Sequence, residues 1–205
     1  MKKRRKGFVV KIDRPEEKYA GPQEYYTPEQ VERYANSSSM RRIQQKIAKR
    51  ILELSGVEEG SKLLDLGCGP GHTMEYYEGM GYEVVGVDLN PIMVEKAKEK
   101  GLKVIKADMR ELHKYFKKGE FDWIVSASAL QWLKGKEDLR RVVDGIKHCL
   151  KSNGQGVIQF YPKSEEELFS TARVFQRQGL KTGVVIDNPN SPKKRLCFIV
   201  FSKVS

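Results

Sequence analysis

Cysteine and histidine, which often mark catalytic or metal-binding sites, are scarce in this sequence. There are three of each among 205 residues. Cys68, Cys149 and Cys197 are odd in number and widely spaced, so they fit neither a disulfide framework nor a zinc site. We therefore expect no bound metal and a reducing compartment, the cytoplasm.

Long apolar segments are also missing. No stretch approaches the ~18 consecutive apolar residues that predict a membrane-spanning helix. Five of the first six residues are basic and no apolar run follows them, so we expect neither a secretory signal nor a membrane partner. With 39% hydrophobic residues, the chain has enough apolar side chains for one α/β domain.

Acidic residues are outnumbered by basic ones, 27 to 38, which gives a net charge of +11. This excess favours a polyanionic partner, because phosphate contacts supply most sequence-independent affinity for nucleic acids. The basic residues cluster in residues 1–6 and again at 193–195. A heat-adapted surface or a disordered basic tail would also explain the composition.

The N-terminal part of the chain differs from the rest. Residues 1–27 are charged and contain proline and glycine, so we predict a basic, largely irregular arm. Thr27 followed by Pro28 is typical of a helix start and predicts a short helix to about Asn36. We assign residues 28–60 to N-terminal helices.

A second N-terminal helix is predicted after a break at 37–39. It runs from Met40 to about Ser55, because apolar residues recur there at helical spacing. The remaining residues, 61–205, form the main domain in this prediction.

From Lys62 onward, strand and helix patterns alternate. Strands are predicted near 62–66, 82–88, 102–107, 121–127, 155–161, 183–187 and 195–202. Helices are predicted near 71–80, 91–100, 109–117, 137–151 and 164–178. Such β-α-β repeats form a parallel sheet, whereas the short connection 188–192 predicts an antiparallel last pair. The predicted fold is α/β: a Rossmann-like, doubly wound, seven-stranded, mostly parallel sheet with an antiparallel C-terminal strand pair.

A glycine loop, Asp65-Leu-Gly-Cys-Gly-Pro-Gly71, follows the first of these strands. Gly67 and Gly69 allow a sharp turn and a close approach to a ligand. A dinucleotide fingerprint would place glycine at position 72, but His72 stands there, and we expect it to be an exposed helix-start residue. The Asp65 carboxylate would repel a pyrophosphate and attract an ammonium or sulfonium, and S-adenosylmethionine carries both cations.

Two further acids lie at the ends of the next two strands. Asp88 is placed to accept hydrogen bonds from both ribose hydroxyls. Asp108 is placed for an adenine amino group, and Met109 for the adenine ring. A single acid at a strand end is often only a helix cap. Three acids at successive strand ends together favour a site for an adenosine-containing cofactor.

The segment from 65 to 108 resembles the class I S-adenosylmethionine-dependent methyltransferases. This resemblance implies that the first strand and its loop hold the methionine end, the second strand the ribose and the third the adenine. The residues it assigns to the cofactor are Asp65, Gly67, Cys68, Gly69, Gly71, Asp88, Leu89, Asp108 and Met109.

The segment after the fourth strand narrows the methyl acceptor. It lacks the Asn/Asp-Pro-Pro-aromatic tetrapeptide typical of enzymes that methylate exocyclic base amines, and no cysteine is placed for attack on a pyrimidine. An acceptor with a free lone pair, such as guanine N7, needs positioning but no general base. Trp132 and Tyr161 are candidates to stack a base and Gln131 to read its edge, although Trp132 also fits a core and Tyr161 a turn.

Outside the cofactor segment the chain resembles the small-subunit (18S-type) rRNA guanine-N7 methyltransferases of ribosome assembly. The resemblance covers residues 14–202. It rests on Arg14-Pro-Glu-Glu17, Tyr34-Ala-Asn36-Ser37, Ser128-Ala-Leu-Gln-Trp132, Gln159-Phe-Tyr161-Pro162 and Val185-Ile-Asp-Asn-Pro-Asn-Ser191. Because the chain stops at Ser205 without the basic extension of eukaryotic members, we expect an archaeal-type member.

This second resemblance implies partners and further site residues. Helices 28–60 cover the cofactor, with Tyr34 and Asn36 in contact with it. The acceptor-side residues are Gln131, Trp132, Tyr161 and Asn190. RNA is the expected substrate, and a small zinc-containing activator subunit is expected along the sheet edge, around Val104 and Ile105.

Two other functions remain open at this point. One is a methyltransferase for a small molecule or a protein. The other is an RNA-binding ribosome assembly factor whose chemistry is dispensable.

Overall fold

A computed structural model describes residues 7–10 and 14–204. The basic run at 1–6 lies outside the described residues. The strands are β1 (Lys62–Leu66), β2 (Glu83–Asp88), β3 (Val104–Lys106), β4 (Phe121–Ala127), β5 (Leu150–Phe160), β6 (Leu180–Asp187) and β7 (Leu196–Lys203). They form one sheet in the order β3-β2-β1-β4-β5-β7-β6. Neighbours among β1 to β5 pair parallel, and β7 pairs antiparallel with both β5 and β6.

Helices connect the strands and cover the sheet. The α-helices are α1 (Pro15–Lys18), α2 (Pro22–Tyr25), α3 (Pro28–Ala35), α4 (Ser38–Leu54), α5 (His72–Gly79), α6 (Pro91–Glu99), α7 (Lys136–Cys149) and α8 (Glu165–Arg177). Two 3₁₀ helices span Met109–Lys114 and Leu130–Trp132. Within the described part of the chain, every helix is too short or too polar to cross a membrane.

Both faces of the sheet are buried. In β1, Leu63 packs with α4, α5 and α6, whereas Leu64 and Leu66 face the opposite side with α7 and α8. This alternation follows from the two-residue period of a strand, and it produces a three-layer sandwich. The predicted doubly wound, seven-stranded sheet with its antiparallel C-terminal pair is confirmed.

Capping residues set where the N-terminal helices begin. Thr27 forms a capping box with Gln30, which starts α3 as the sequence predicts. The Ser37 hydroxyl accepts the Met40 amide at 3.2 Å and starts α4 at Ser38. The predicted break is therefore shorter than 37–39, because one serine caps the helix and the next two continue it.

Three other predicted elements differ from the structure. Two four-residue helices, α1 and α2, interrupt the arm that was predicted to be largely irregular. The segment predicted as a helix at 109–117 is a short 3₁₀ helix with non-helical angles at Glu111. β5 begins at Leu150, directly after α7, because hydrogen-bonded pairing with β4 already starts there.

Candidate active site

A cavity of about 530 Å³ opens at the carboxyl ends of β1, β2, β3 and β4. Its walls come from the loops after these strands, from the start of α4 and from the N-terminal arm. This is the edge where ligands bind in open parallel sheets, and the volume is typical of a small-molecule site.

The glycine loop forms the cavity wall after β1. Gly67 has φ +71° and Gly69 has φ +53°, a left-handed region that glycine adopts without strain. A Cβ on Gly67 would lie 2.5 Å from the Ala129 Cβ, so a side chain there would collide with the loop after β4. Glycine at position 67 therefore lets this loop pack closely against the loop after β4, and Gly67, Cys68 and Gly69 all line the cavity.

Asp88 ends β2 and ties the first two strand-end loops together. One carboxylate oxygen accepts the Gly69 amide at 2.8 Å, and the other accepts the Asn90 amide at 2.8 Å. Burial raises the pKa of Asp88 above its usual value, although these amide hydrogen bonds oppose the shift. Asp88 and Leu89 both line the cavity, so a ribose bound there would meet this carboxylate.

Asp65 occupies a deeper position than expected. It is 1% exposed, does not line the cavity, and accepts a hydrogen bond from the Thr73 hydroxyl. Burial raises its pKa to about 7, and the Thr73 hydrogen bond opposes this shift. Thr73 itself lines the cavity, so the Asp65 carboxylate lies one hydrogen bond behind the cavity wall.

Asp108 is held by a neighbouring guanidinium at the end of β3. Arg110 Nε lies 3.0 Å from both carboxylate oxygens, and Nη1 reaches Asp138 at 3.2 Å. Burial raises the pKa of Asp108, but the Arg110 hydrogen bonds outweigh it and hold the pKa below its usual value. The carboxylate therefore stays ionised beside Met109, and both residues line the cavity.

His72 is buried, contrary to the prediction that it would be exposed. It is 2% exposed, and its Nε2 lies 3.3 Å from the Tyr34 carbonyl oxygen. The Tyr34 ring also covers it, with the ring centroids 5.7 Å apart. Burial and the nearby Lys100 ammonium lower the pKa of His72. The helical propensity of α5 gives no sign of this contact, because the covering residue is 38 positions away.

The loop after β4 carries the acceptor-side candidates. Trp132 lines the cavity and lies 5.6 Å, centroid to centroid, from Tyr25 and 5.9 Å from Tyr26. The Gln131 amide nitrogen donates to the Ser128 carbonyl at 2.8 Å. The Gln131 side-chain oxygen is buried and makes no hydrogen bond with the described residues.

Ser128 fixes the conformation of this loop. Its φ of 58° is unusual for a residue with a side chain. The Ser128 amide donates to the Gln159 carbonyl and side-chain oxygens, each at 3.0 Å, and the Ser128 hydroxyl donates to the same side chain at 3.0 Å. These bonds join the ends of β4 and β5 and so fix the loop that carries Gln131 and Trp132.

The N-terminal arm forms part of the site, which its sequence pattern does not predict. Arg14 donates to the Tyr161 carbonyl and to the Pro162 carbonyl, the latter at 3.2 Å. Lys134 Nζ donates to the Glu16 carbonyl at 2.6 Å and to the Tyr19 carbonyl at 3.0 Å. These contacts hold the arm across the cavity, and Tyr25 and Tyr26 line it. The adjacent tyrosines Tyr25 and Tyr26 are the sequence feature that could have indicated this role.

Most predicted site residues meet at this cavity. The predicted residues that line it are Tyr34, Gly67, Cys68, Gly69, Asp88, Leu89, Asp108, Met109, Gln131, Trp132 and Tyr161. Asp65, Gly71, Asn36 and Asn190 do not line it. Gly71 caps α5, and Asn36 donates to Glu32 at 2.7 Å on an exposed helix end. Asn190 is exposed in the loop between β6 and β7.

These side chains fit S-adenosylmethionine. The loop leaves open space at Gly69, where the nearest atom to an added Cβ would be the Met93 sulfur at 3.9 Å. Carboxylates at Asp88 and Asp108 offer hydrogen-bond acceptors at two neighbouring strand ends, with the Met109 side chain beside them.

Comparison with known proteins agrees with this geometry. A family model described as a methyltransferase domain matches residues 64–158. The 18S rRNA (guanine-N(7))-methyltransferase bud23 of Schizosaccharomyces pombe is 31% identical over 204 residues, which cover 92% of this chain and 74% of that protein. The 18S rRNA (guanine-N(7))-methyltransferase of Mus musculus is 34% identical, covering 92% of this chain and 71% of that protein.

Solved structures share the fold. A SAM-dependent methyltransferase from Aquifex aeolicus matches with a TM-score of 0.68 and 21% identity, covering 87% of this chain and 99% of that one. The N-methyltransferase NodS from Bradyrhizobium japonicum, in complex with S-adenosyl-L-homocysteine, matches with a TM-score of 0.68 and 16% identity. This match covers 86% of this chain and 98% of that one.

Proposed function

The chain belongs to the family of the 18S rRNA (guanine-N(7))-methyltransferases and is an S-adenosylmethionine-dependent methyltransferase, and from this premise we propose its substrate. It transfers a methyl group to N7 of a guanine in small-subunit rRNA during ribosome assembly. The single observation that carries this proposal is the identity of 31% and 34% to two rRNA methyltransferases over 92% of the chain.

Cofactor binding is assigned to the side of the cavity formed by β1, β2 and β3. Bound S-adenosylmethionine supplies the methyl group. In the proposal, the glycine loop receives the methionine end and Asp88 accepts the ribose hydroxyls. Asp108 accepts a hydrogen bond from the adenine amino group. Arg110 holds the Asp108 carboxylate in place, with its Nε atom 3.0 Å from each carboxylate oxygen.

The opposite side of the cavity is assigned to the acceptor guanine. N7 carries a lone pair and needs no proton removed, so the protein contributes orientation rather than a general base. Trp132 and Tyr161 stack the base, and Gln131 braces the loop that carries Trp132 through its hydrogen bond to Ser128. Asn190 lies outside the cavity and belongs, in this proposal, to the surface that meets the surrounding RNA.

Three finer points belong to the same proposal. The chain divides into an arm (1–27), covering helices (28–60) and a methyltransferase domain (61–205). A small zinc-containing activator subunit pairs along β3, which is an edge strand of the sheet and contains Val104 and Ile105. The site of action is the cytoplasm, where the three buried free thiols stay reduced.

A partition experiment tests the proposed substrate class. Purified protein is incubated with methyl-labelled S-adenosylmethionine and small-subunit particles, with and without the activator, and the RNA, protein and small-molecule fractions are counted. Label in the RNA supports the proposal. Label in the protein or small-molecule fraction contradicts it, and binding without any transfer favours an assembly factor with dispensable chemistry.

A further inference from the structure

Among the described residues of the N-terminal arm, Glu16 is the one carboxylate in the wall of the cavity. Its side chain is 9% exposed. The next residue, Glu17, lies outside the cavity wall, with its side chain 36% exposed and ion-paired to Lys163 at 3.1 Å. Two adjacent acids therefore have different surroundings, and Glu16 alone of the two faces the site.

The Glu16 carboxylate keeps hydrogen-bonding capacity toward a ligand. The Arg14 guanidinium lies 3.6 Å from it, which is an ion-pair distance but longer than a hydrogen bond. Both Nη atoms of Arg14 donate instead to the carbonyls of Tyr161 and Pro162. A carboxylate offers two oxygens with about four lone-pair directions, so Arg14 leaves most of them available.

The backbone fixes Glu16 next to the aromatic cluster. Its carbonyl accepts Lys134 Nζ at 2.6 Å, and Lys134 follows Trp132 by two positions. Tyr26 is close enough that the Glu16 charge adds to the burial that raises the Tyr26 pKa to about 12. Tyr25, Tyr26 and Trp132, whose rings contact one another, line the same cavity.

Guanine presents two donors on its Watson–Crick edge, the N1–H group and the 2-amino group. A carboxylate matches them with two acceptors, and this edge is opposite the one that carries N7. Adenine offers an acceptor at N1 and no 2-amino group, so a carboxylate would repel it. Methylation also leaves a positive charge on the base, which a carboxylate and aromatic faces both stabilise.

Gln131 also lines the cavity but offers a ligand one acceptor at most, not the two that this edge of guanine needs. Its amide nitrogen is engaged with the Ser128 carbonyl at 2.8 Å, and only its side-chain oxygen lacks a hydrogen-bond partner among the described residues. We propose that Glu16 reads the Watson–Crick edge of the acceptor guanine, while Trp132 and Tyr161 hold the faces of the base. This inference rests on the proposed guanine-N7 activity, and it makes Glu16 a specificity-determining residue.

The test compares Glu16→Gln with its neighbour, Glu17→Gln. The substrate is a small-subunit rRNA fragment with guanosine or inosine at the methylated position, since inosine lacks the 2-amino group. The readouts are kcat/KM at saturating S-adenosylmethionine and the cofactor affinity measured by calorimetry. The cofactor affinity shows whether each variant is folded.

The wild type should prefer guanosine to inosine by about 10-fold, because inosine lacks the 2-amino group and loses one hydrogen bond to the charged carboxylate. Glu16→Gln should lose on the order of 10²-fold in kcat/KM on guanosine. Its preference for guanosine over inosine should be less than about 2-fold. Glu17→Gln should match the wild type, and all three proteins should bind the cofactor equally.

Two results would overturn the role of Glu16. One is wild-type activity in Glu16→Gln, and the other is reduced activity with an unchanged preference for guanosine, which a merely structural role would produce. Failure of the wild type to methylate guanine N7 at all would instead overturn the proposed function, so the two failures are distinguishable.

Discussion

The Asp88 carboxylate accepts the Gly69 backbone amide at 2.8 Å, so the end of β2 holds the glycine loop that follows β1. The same carboxylate lines the cavity at the position assigned to the ribose. One side chain thus shapes the loop and also faces the cavity.

Replacement of this carboxylate should remove cofactor binding. Asp88→Ala loses the ribose acceptor and frees the Gly69 and Asn90 amides, so we predict an affinity for S-adenosylmethionine that is lower by on the order of 10²-fold. Isothermal titration calorimetry measures this directly. Glu83→Ala, at the exposed start of the same strand, is the control and should bind normally. Unchanged affinity in Asp88→Ala would rule out the ribose assignment.

Gly67 and Gly69 should differ in their response to alanine. At Gly67 the new Cβ would meet Ala129 at 2.5 Å, whereas at Gly69 the nearest atom is the Met93 sulfur at 3.9 Å. Both positions carry the strain of a positive φ, about 1–2 kcal/mol. We predict an additional loss of about 1–3 kcal/mol in unfolding free energy for Gly67→Ala only. Denaturant unfolding of the two variants checks this, and equal losses would contradict the close contact.

Asp65 should give the protein a distinct pH dependence. Its folded-state pKa is about 7, above the ordinary value near 4, so the folded state binds a proton that the unfolded state releases. The stabilisation of the folded state by this bound proton is present at low pH and is lost as pH rises toward 7. Between pH 5 and pH 7 this group should lower the unfolding free energy by about 1 kcal/mol per pH unit on average.

Asp65→Asn isolates this contribution, because the amide does not titrate. The difference in unfolding free energy between the variant and the wild type should grow across pH 5 to 7 in favour of the variant. Chemical denaturation at each pH measures it. A difference that stays constant over this range would show that Asp65 titrates normally.

The arm should be released when its anchor is removed. Arg14→Ala deletes both donors to the Tyr161 and Pro162 carbonyls, so we predict a loss in kcat/KM on RNA of about 10-fold to 100-fold through poorer positioning. Limited proteolysis should also cut faster between residues 15 and 26. Arg33→Ala, on the exposed side of α3, is the control. Normal activity and normal proteolysis in Arg14→Ala would show that the arm does not depend on this anchor.

The central sheet and cofactor side were predictable because their signals are local. A strand, a glycine loop and an acid at the next strand end form a short pattern whose geometry follows from parallel pairing. Asp88 and Asp108 reach the cavity for this reason. Burial of Asp65 behind Thr73 was not visible in the pattern, because it depends on how α5 packs against β1.

The arm and the acceptor side depend on contacts between distant residues. Arg14 binds carbonyls about 147 positions away, and composition alone indicated only an irregular, charged segment. His72 is buried because the Tyr34 segment folds over it. Asn190 belongs to a segment that carries the family resemblance, yet its loop does not reach the cavity. Resemblance identified the segment but not the direction of each side chain.

The position of the transferred methyl group tests the central claim most directly. Small-subunit RNA methylated by the purified protein is treated with borohydride and aniline, which cleave the chain at N7-methylguanosine, and the cleavage site is mapped by primer extension. Guanine-N7 methylation should give cleavage at one guanine, dependent on S-adenosylmethionine and absent with Asp88→Ala. Methylated RNA that resists this cleavage, with the label on another base atom or on a ribose, would contradict it.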